Sequence, residues 1–432
     1  MASMTENYPL VQNSPDFVRP LGALEKAFWL WDQTARTHFS IAAEVEGPTT
    51  IADWREALDA VQRRHPLLSV CIDGRDGAAP IFRRVNGAQI PLLVLANKAH
   101  SRWESQLESE LQAPFDTSRA PLVRATLIHR PEKSTFILTA QHSIADGMAV
   151  TFLIRDVLQF MGGSPLASLE VPPAQDELIE RLRSSSGVSD SNGEGQPPFV
   201  GPPTQLKQYS DVRPLVQCLR NPEETTSLLR ERCRQEGTTV QGALASAVMI
   251  SGRQSWRKWN DQIVRIMSPV NTRKALGVGE DCSLYANASL ALMRPDPQAD
   301  FWEIARSIRQ SLDGVQTADG TIAAFSALGQ AFSQPINAQQ AREVFQQALP
   351  FEVLVTNLGN VPIDTRFGPL HLVALWGPVV LSGTEDEQVI GAATLRGSLH
   401  LAHSSYAPIP GLLGSIEQIL AEACTSNLQQ AS

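Results

Sequence analysis

Apolar positions recur along the chain at two periods. Over 21–33 (LGALEKAFWLWDQ) they fall at helical spacing, and over 39–45 they alternate as in a half-buried strand. In Ile51–Arg64, Ile51, Trp54, Leu58 and Val61 make one stripe, which predicts an amphipathic helix with Thr50 as its N-cap. Pro66 cannot continue that helix, so a turn and then a strand over 67–73 are expected. A helix over 101–115 follows, then a hairpin of strands 122–130 and 134–141 around Pro131-Glu132-Lys133. Residues 148–160 (MAVTFLIRDVLQF) are apolar around most of the circumference, which predicts a buried helix ending at Gly162-Gly163.

The stretch 183–204 (RSSSGVSDSNGEGQPPFVGPPT) is rich in Ser, Gly and Pro and nearly lacks core formers. It reads as a flexible linker between an N-terminal lobe, 1–182, and a C-terminal lobe, 205–432. The second half repeats the style of the first. Helices are expected over 222–235 and 239–252, strands over 263–271 and 284–293, and helical patterns from 301 to 348. Three β-rich runs, 351–357, 370–380 and 389–402, precede a last helix over 409–424. The expected class is α/β, with mixed sheets flanked by helices.

Composition narrows the function classes. With 43% hydrophobic and 19% charged residues, a chain of 432 residues has the material for two or three packed units and is not intrinsically disordered. A formal net charge of −9 offers no broad cationic field to a nucleic-acid backbone. No apolar run reaches the roughly 18 residues of a membrane span, and the first residues lack the basic start and apolar core of a signal peptide. The five cysteines are scattered without a CxxC or Cys/His pattern, so no disulfide frame and no metal site is expected, and the protein reads as cytoplasmic. Neither GxxxxGK[ST], GxGxxG nor GxSxG occurs, which disfavours nucleotide binding and a serine acyl-enzyme.

The sharpest chemical signal is Gln141-His142-Ser143-Ile144-Ala145-Asp146-Gly147, at the end of one strand and the start of the buried helix. The plain structural alternative is a histidine that ends a core strand and an aspartate that caps a helix. A functional reading is equally physical. A neutral imidazole can take a proton from a hydroxyl or amine and return it to a leaving group, provided that the turn fixes its aim. Asp146 would brace that turn, and Gly147 would permit a close backbone approach that a Cβ would block. The other histidines occur singly and read as structural.

The His142–Gly147 segment resembles the HxxxDG motif of acyltransferases with a chloramphenicol-acetyltransferase-like fold. That group includes condensation domains of nonribosomal peptide synthetases, polyketide-associated acyltransferases and the plant BAHD enzymes. Three further segments are similar, in the same order. They are Arg64-His65-Pro66-Leu67-Leu68, Pro269-Val270-Asn271-Thr272-Arg273 and Val355-Thr356-Asn357-Leu358-Gly359. The chain departs from the group at two places. Gln141 stands where condensation domains carry the first of two histidines. No DFGWG is present, the nearest candidates being Arg366-Phe367-Gly368-Pro369 and Trp376-Gly377-Pro378. The resemblance is therefore to the polyketide-associated and freestanding condensation-like branch.

The resemblance implies two such lobes as a V-shaped pseudo-dimer with a through-channel, a segment of the second lobe crossing onto the first. It implies His142 as catalytic base, Asp146 as a structural acid paired with an arginine, and Gly147 as the turn glycine. Arg273 is the candidate for that arginine, or for a residue of the groove near the cleft, and Arg366 is the alternative. Gln141, Asn271, Thr356 and Asn357 would lie near the cleft. The implied reaction moves an acyl group from a thioester, on an acyl carrier protein or coenzyme A, to a small-molecule acceptor. An alcohol acceptor is favoured over an amine because Gln141 replaces the first histidine. No tightly bound cofactor and no metal are implied, and a monomer is expected. The alternatives are a freestanding condensation enzyme that forms an amide, and a non-catalytic module that docks carrier proteins.

Overall fold

The computed structural model describes residues 16–74, 79–96, 102–186, 205–206, 212–296, 298–332, 336–348 and 350–425. In the first half these form β1 (Phe17–Pro20), α1 (Ala23–Asp32), β2 (Phe39–Glu46), α2 (Ile51–Arg64), β3 (Val70–Asp73), β4 (Ile81–Arg84), β5 (Leu92–Ala96), α3 (Glu104–Gln112), β6 (Val123–His129), β7 (Lys133–Ala140), α4 (Gly147–Met161) and α5 (Gln175–Ser186). In the second half follow β8 (Leu215–Asn221), α6 (Glu223–Gln235), α7 (Val240–Ser255), β9 (Val264–Asn271), β10 (Ala286–Met293), α8 (Phe301–Leu312), α9 (Ala318–Phe332) and α10 (Ala338–Ala348). The chain closes with β11 (Val353–Asn360), β12 (Arg366–Phe367), β13 (Leu370–Val380), β14 (Gln388–Leu395), β15 (Ser398–Ser405) and α11 (Leu412–Thr425).

Two six-stranded mixed sheets carry the architecture, ordered β12-β13-β2-β7-β6-β5 and β10-β9-β11-β14-β15-β8; β1, β4 and β3 make a small third sheet. The lobes interlock because β13, from the second half of the sequence, pairs antiparallel with β2 over most of its length. Alternation along β13 serves two cores. Leu370, Leu372 and Leu375 join the first-lobe core with Phe39, Ile41, Trp54 and Phe136. Ala374, Trp376 and Val379 enter a cluster that both sheets share, with Ile137 from β7 and Leu354, Val389 and Ala402 from the second sheet. A separate core, including Trp259, Ile266, Trp302, Ile390 and Leu399, holds the second lobe.

Local signals account for several boundaries. Thr50 Oγ1 accepts from the Asp53 N–H while Asp53 accepts from the Thr50 N–H, a reciprocal cap at the start of α2. The strand expected over 67–73 is shorter. Pro66–Ser69 forms a 3-10 turn, because proline pre-sets the first helical φ, and the strand begins at Val70. The run 389–402 is a hairpin of two strands. Arg396 (φ 50°) and Gly397 (φ 79°) supply the two left-handed residues that such a turn needs. The helix expected over 101–115 spans only Glu104–Gln112. Residues 183–186 of the expected linker are instead the last turn of α5; residues 187–204, where the rest of that expectation falls, lie outside the described residues.

Candidate active site

The HxxxDG turn is built from the main chain outward. Past the end of β7, the Gln141 N–H donates to the Leu122 carbonyl (3.0 Å) and the Ile144 N–H to the Gln141 carbonyl (3.2 Å). The Gln141 side chain accepts from the Ser143 N–H at 2.6 Å, and Ser143 Oγ donates to the Glu25 carbonyl of α1 at 2.9 Å. Gln141 is fully buried. Its buried amide shapes the turn through the Ser143 bond.

Asp146 is the hub below that turn. One carboxylate oxygen caps α4 by accepting from the Ala149 N–H (2.8 Å). The other accepts from Arg273 Nη1 (2.6 Å) and the Tyr285 N–H (2.9 Å). Arg273 therefore fills the role for which Arg366 was the alternative; Arg366 is exposed in β12, opposite His371. The Arg273 guanidinium also donates to the carbonyls of Asp281 (3.2 Å) and Ser283 (3.1 Å) and lies over the Tyr285 ring. Asn271 accepts from the Arg273 N–H (3.1 Å), which places it as a brace for that arginine. Both Asp146 oxygens are engaged, by three donors in all, and the pair is buried, so the carboxylate is placed to hold the two lobes at the turn.

His142 itself is partly exposed, between two aromatic rings. Phe28 of α1 stacks on it at 4.1 Å with 19° between planes, and Phe39 of β2 lies at 4.7 Å. Nδ1 is buried and meets no hydrogen-bond partner. Burial of the ring lowers its pKa to about 4, against the opposing pull of Asp146 and of nearby backbone carbonyls. The imidazole is therefore neutral at physiological pH. An imidazolium formed there would be a strong acid.

The second lobe closes on the turn from above. A Cβ on Gly147 would meet Pro378 Cγ at 2.9 Å and Leu358 Cδ2 at 3.0 Å, so the glycine is where β13 and the end of β11 touch α4. Thr356 and Asn357 precede that contact and are half-buried. Asn357 Oδ1 accepts from the Gly359 N–H (2.8 Å) and shapes the strand end. A cavity of about 630 Å³ also lies between the lobes, lined by Glu44, Lys133 and Trp376 on one side and Arg220 and Ser398 on the other; His142 is not among its lining residues.

One hub escaped the sequence reading. Asp156, inside the apolar α4, accepts from Arg64 (2.8 Å) and is hydrogen-bonded to His65 (2.8 Å). Burial would push its carboxyl up, but the His65 bond and Arg155 hold it below the usual value. The Arg64-His65-Pro66 turn thus anchors the helix that Asp146 caps. The available signal was a lone acid in an otherwise apolar helix. Among the described residues no cluster of three or more metal-ligating side chains occurs.

Two interlocked mixed-sheet lobes, with His142 just past the end of a strand and beside a buried Asp–Arg pair, make an architecture similar to the two-lobed fold of solved condensation domains. Comparison with known proteins agrees. Residues 210–395 match the family model for the phthiocerol/phthiodiolone dimycocerosyl transferase C-terminus. Phosphinothricin tripeptide synthetase PhsC of Streptomyces viridochromogenes is 24% identical over 324 residues, which cover 68% of this chain and 29% of that protein. The chain spans less than a third of the length of the curated relatives that it matches first. Polyketide synthase associated protein 5 from Mycobacterium tuberculosis superposes with a TM-score of 0.66 at 18% identity, covering 95% of this chain and 99% of that one. The trichothecene 15-O-acetyltransferase TRI3 from Fusarium sporotrichioides superposes with a TM-score of 0.67 at 12% identity, covering 93% and 94%.

Proposed function

We propose that the protein is a thioester-dependent acyltransferase of natural-product biosynthesis, with His142 as general base. The observation that carries the reading is a neutral, partly exposed His142 on a turn whose acid is already committed to Arg273. In this mechanism His142 takes the proton of an acceptor hydroxyl while that oxygen attacks the acyl carbonyl. The C–O bond forms as the carbonyl π pair moves to oxygen. The N–H groups near Gly147 and the side chains of Thr356 and Asn357 are the candidate oxyanion donors. Collapse expels the thiolate, and the imidazolium returns its proton to sulfur. The apolar surroundings of the ring favour that return, because they make the imidazolium a strong acid.

The donor is an acyl thioester on a carrier protein or coenzyme A. A hydroxyl acceptor is preferred because the fold neighbour TRI3 is a trichothecene 15-O-acetyltransferase. Amide formation is the second reading, supported by the peptide synthetase among the relatives. No protein nucleophile is needed, and burial raises the thiol pKa at Cys71, Cys218, Cys233, Cys282 and Cys424, so none of them is poised as a thiolate. Steady-state kinetics with an acyl-coenzyme A panel, read beside intact-mass spectra, test the reading. Intersecting double-reciprocal lines and no acyl adduct are expected. Parallel lines with an accumulating adduct would overturn it.

A further inference from the structure

Helix α1 presents a file of aromatic rings that begins at His142 and ends in the other lobe. Phe28 lies on the imidazole, and Trp31, one turn later, stacks on Phe28 at 6.0 Å. The other partner of Trp31 is Phe345 of α10, at 4.2 Å. The indole N–H of Trp31 donates to the Ser382 carbonyl at 3.2 Å. That carbonyl belongs to a loop between β13 and β14 that one buried carboxylate holds. Glu387 accepts from the Ser382 N–H (3.0 Å), Ser382 Oγ (2.6 Å) and the Gly383 N–H (2.9 Å). Residues 205 and 206 dock on the same loop, through Glu385 N–H to the Gln205 carbonyl (2.8 Å) and a bridge between Leu206 and Thr384. A buried indole needs an acceptor. A carboxyl group 1% exposed, spent on fixing that acceptor, is more than the indole needs, because a buried carboxyl must either hold its charge among neutral donors or take up a proton.

We infer that Trp31 is a positioning residue for His142: through Phe28 it sets the imidazole plane and keeps water from its face, while Glu387 fixes the carbonyl that aligns the indole. The file links the base to α10 and to the 382–387 loop, both from the second half of the chain. This inference rests on His142 being the base, and the test separates the two. The charged groups that bear on the ring are Asp146 from its own turn and Asp32 from α1, and neither is altered in the test.

The variants are Trp31→Leu, Trp31→Phe and Glu387→Gln. The His142 imidazole is titrated by NMR in each, and kcat and KM are followed against pH with an acyl-coenzyme A donor. In Trp31→Leu the His142 midpoint is expected to rise from about 4 toward the ordinary 6.5 as water reaches the ring. Its kcat should fall about 10- to 10²-fold with the donor KM within about twofold, the signature of lost orientation. Trp31→Phe, which keeps the stack and loses the N–H, should recover most of both. Glu387→Gln should move the midpoint in the same direction by less. If Trp31→Leu does not fold, Glu387→Gln carries the test through its smaller rise in the His142 midpoint. A His142 midpoint unchanged in every folded variant would overturn the inference. A shifted midpoint beside full turnover by His142→Ala would instead overturn the general-base reading.

Discussion

At the scale of single residues, the pair Asp146–Arg273 is where chemistry and stability meet. Both partners are buried, so removing one strands the charge of the other. Asp146→Ala is expected to cost about 3–5 kcal/mol in chemical denaturation, with activity lost alongside. Asp146→Asn keeps the α4 cap and should retain part of both. A fully stable Asp146→Ala protein without turnover would mean that the carboxylate acts on substrate directly. His142, Asp146, Gly147 and Arg273 were legible because each is required by a motif, and the structure brings all four to one turn. The surroundings of His142 were not. Phe28 is 114 positions from His142 in sequence and Phe39 lies on another strand, so nothing local announces the stacking. The Tyr285 N–H that shares Asp146 is invisible for a simpler reason, since a backbone donor carries no residue signature.

At the scale of elements, β13 decides the geometry. A sequence pattern shows that 370–380 is a strand but not which sheet takes it, because pairing partners are set by tertiary packing. The resemblance implied the crossing; the register with β2 came only from the structure. β14 passes so close to β13 that a Cβ on Gly391 would lie 2.1 Å from the Pro378 carbonyl oxygen. Gly391→Ala should therefore destabilise by at least about 1–3 kcal/mol, the usual cost of overpacking, and lower the melting temperature. Gly414→Ala in α11, with open space around it, should stabilise by about 0.5–1 kcal/mol. Equal effects from the two substitutions would mean that the β13–β14 contact is not close-packed. The strands β1, β4, β5 and β8 escaped the sequence reading; four-residue strands such as Phe17–Pro20 and Ile81–Arg84 are too short for a period to show.

At the scale of the whole molecule, buried titratable groups predict an acid-sensitive fold. Burial lowers His142, His400 and His403 to about 4, so between pH 6.5 and 4 the unfolded chain binds more protons at each, and stability falls as pH falls. Glu387 works the other way. Burial raises it to about 7, so its contribution is full below about 4.5 and is lost as pH rises through 7. Three uptake sites against one opposing site leave a net uptake of two protons on unfolding between about pH 4.5 and 6.5, each worth about 1.4 kcal/mol per pH unit at most. Glu387→Gln should steepen that slope toward three protons, and urea midpoints across the range measure it; an unchanged slope would mean that Glu387 titrates as an ordinary carboxyl. In the proposed reaction a neutral His142, held over the Asp146–Arg273 pair, moves the proton in acyl transfer. The most direct measurement of that role is turnover of one acyl thioester by folded His142→Ala against the wild type. A loss of about 10²–10⁴-fold with the fold intact is expected of a general base, whereas near-normal turnover by that variant would mean that His142 does not move the proton.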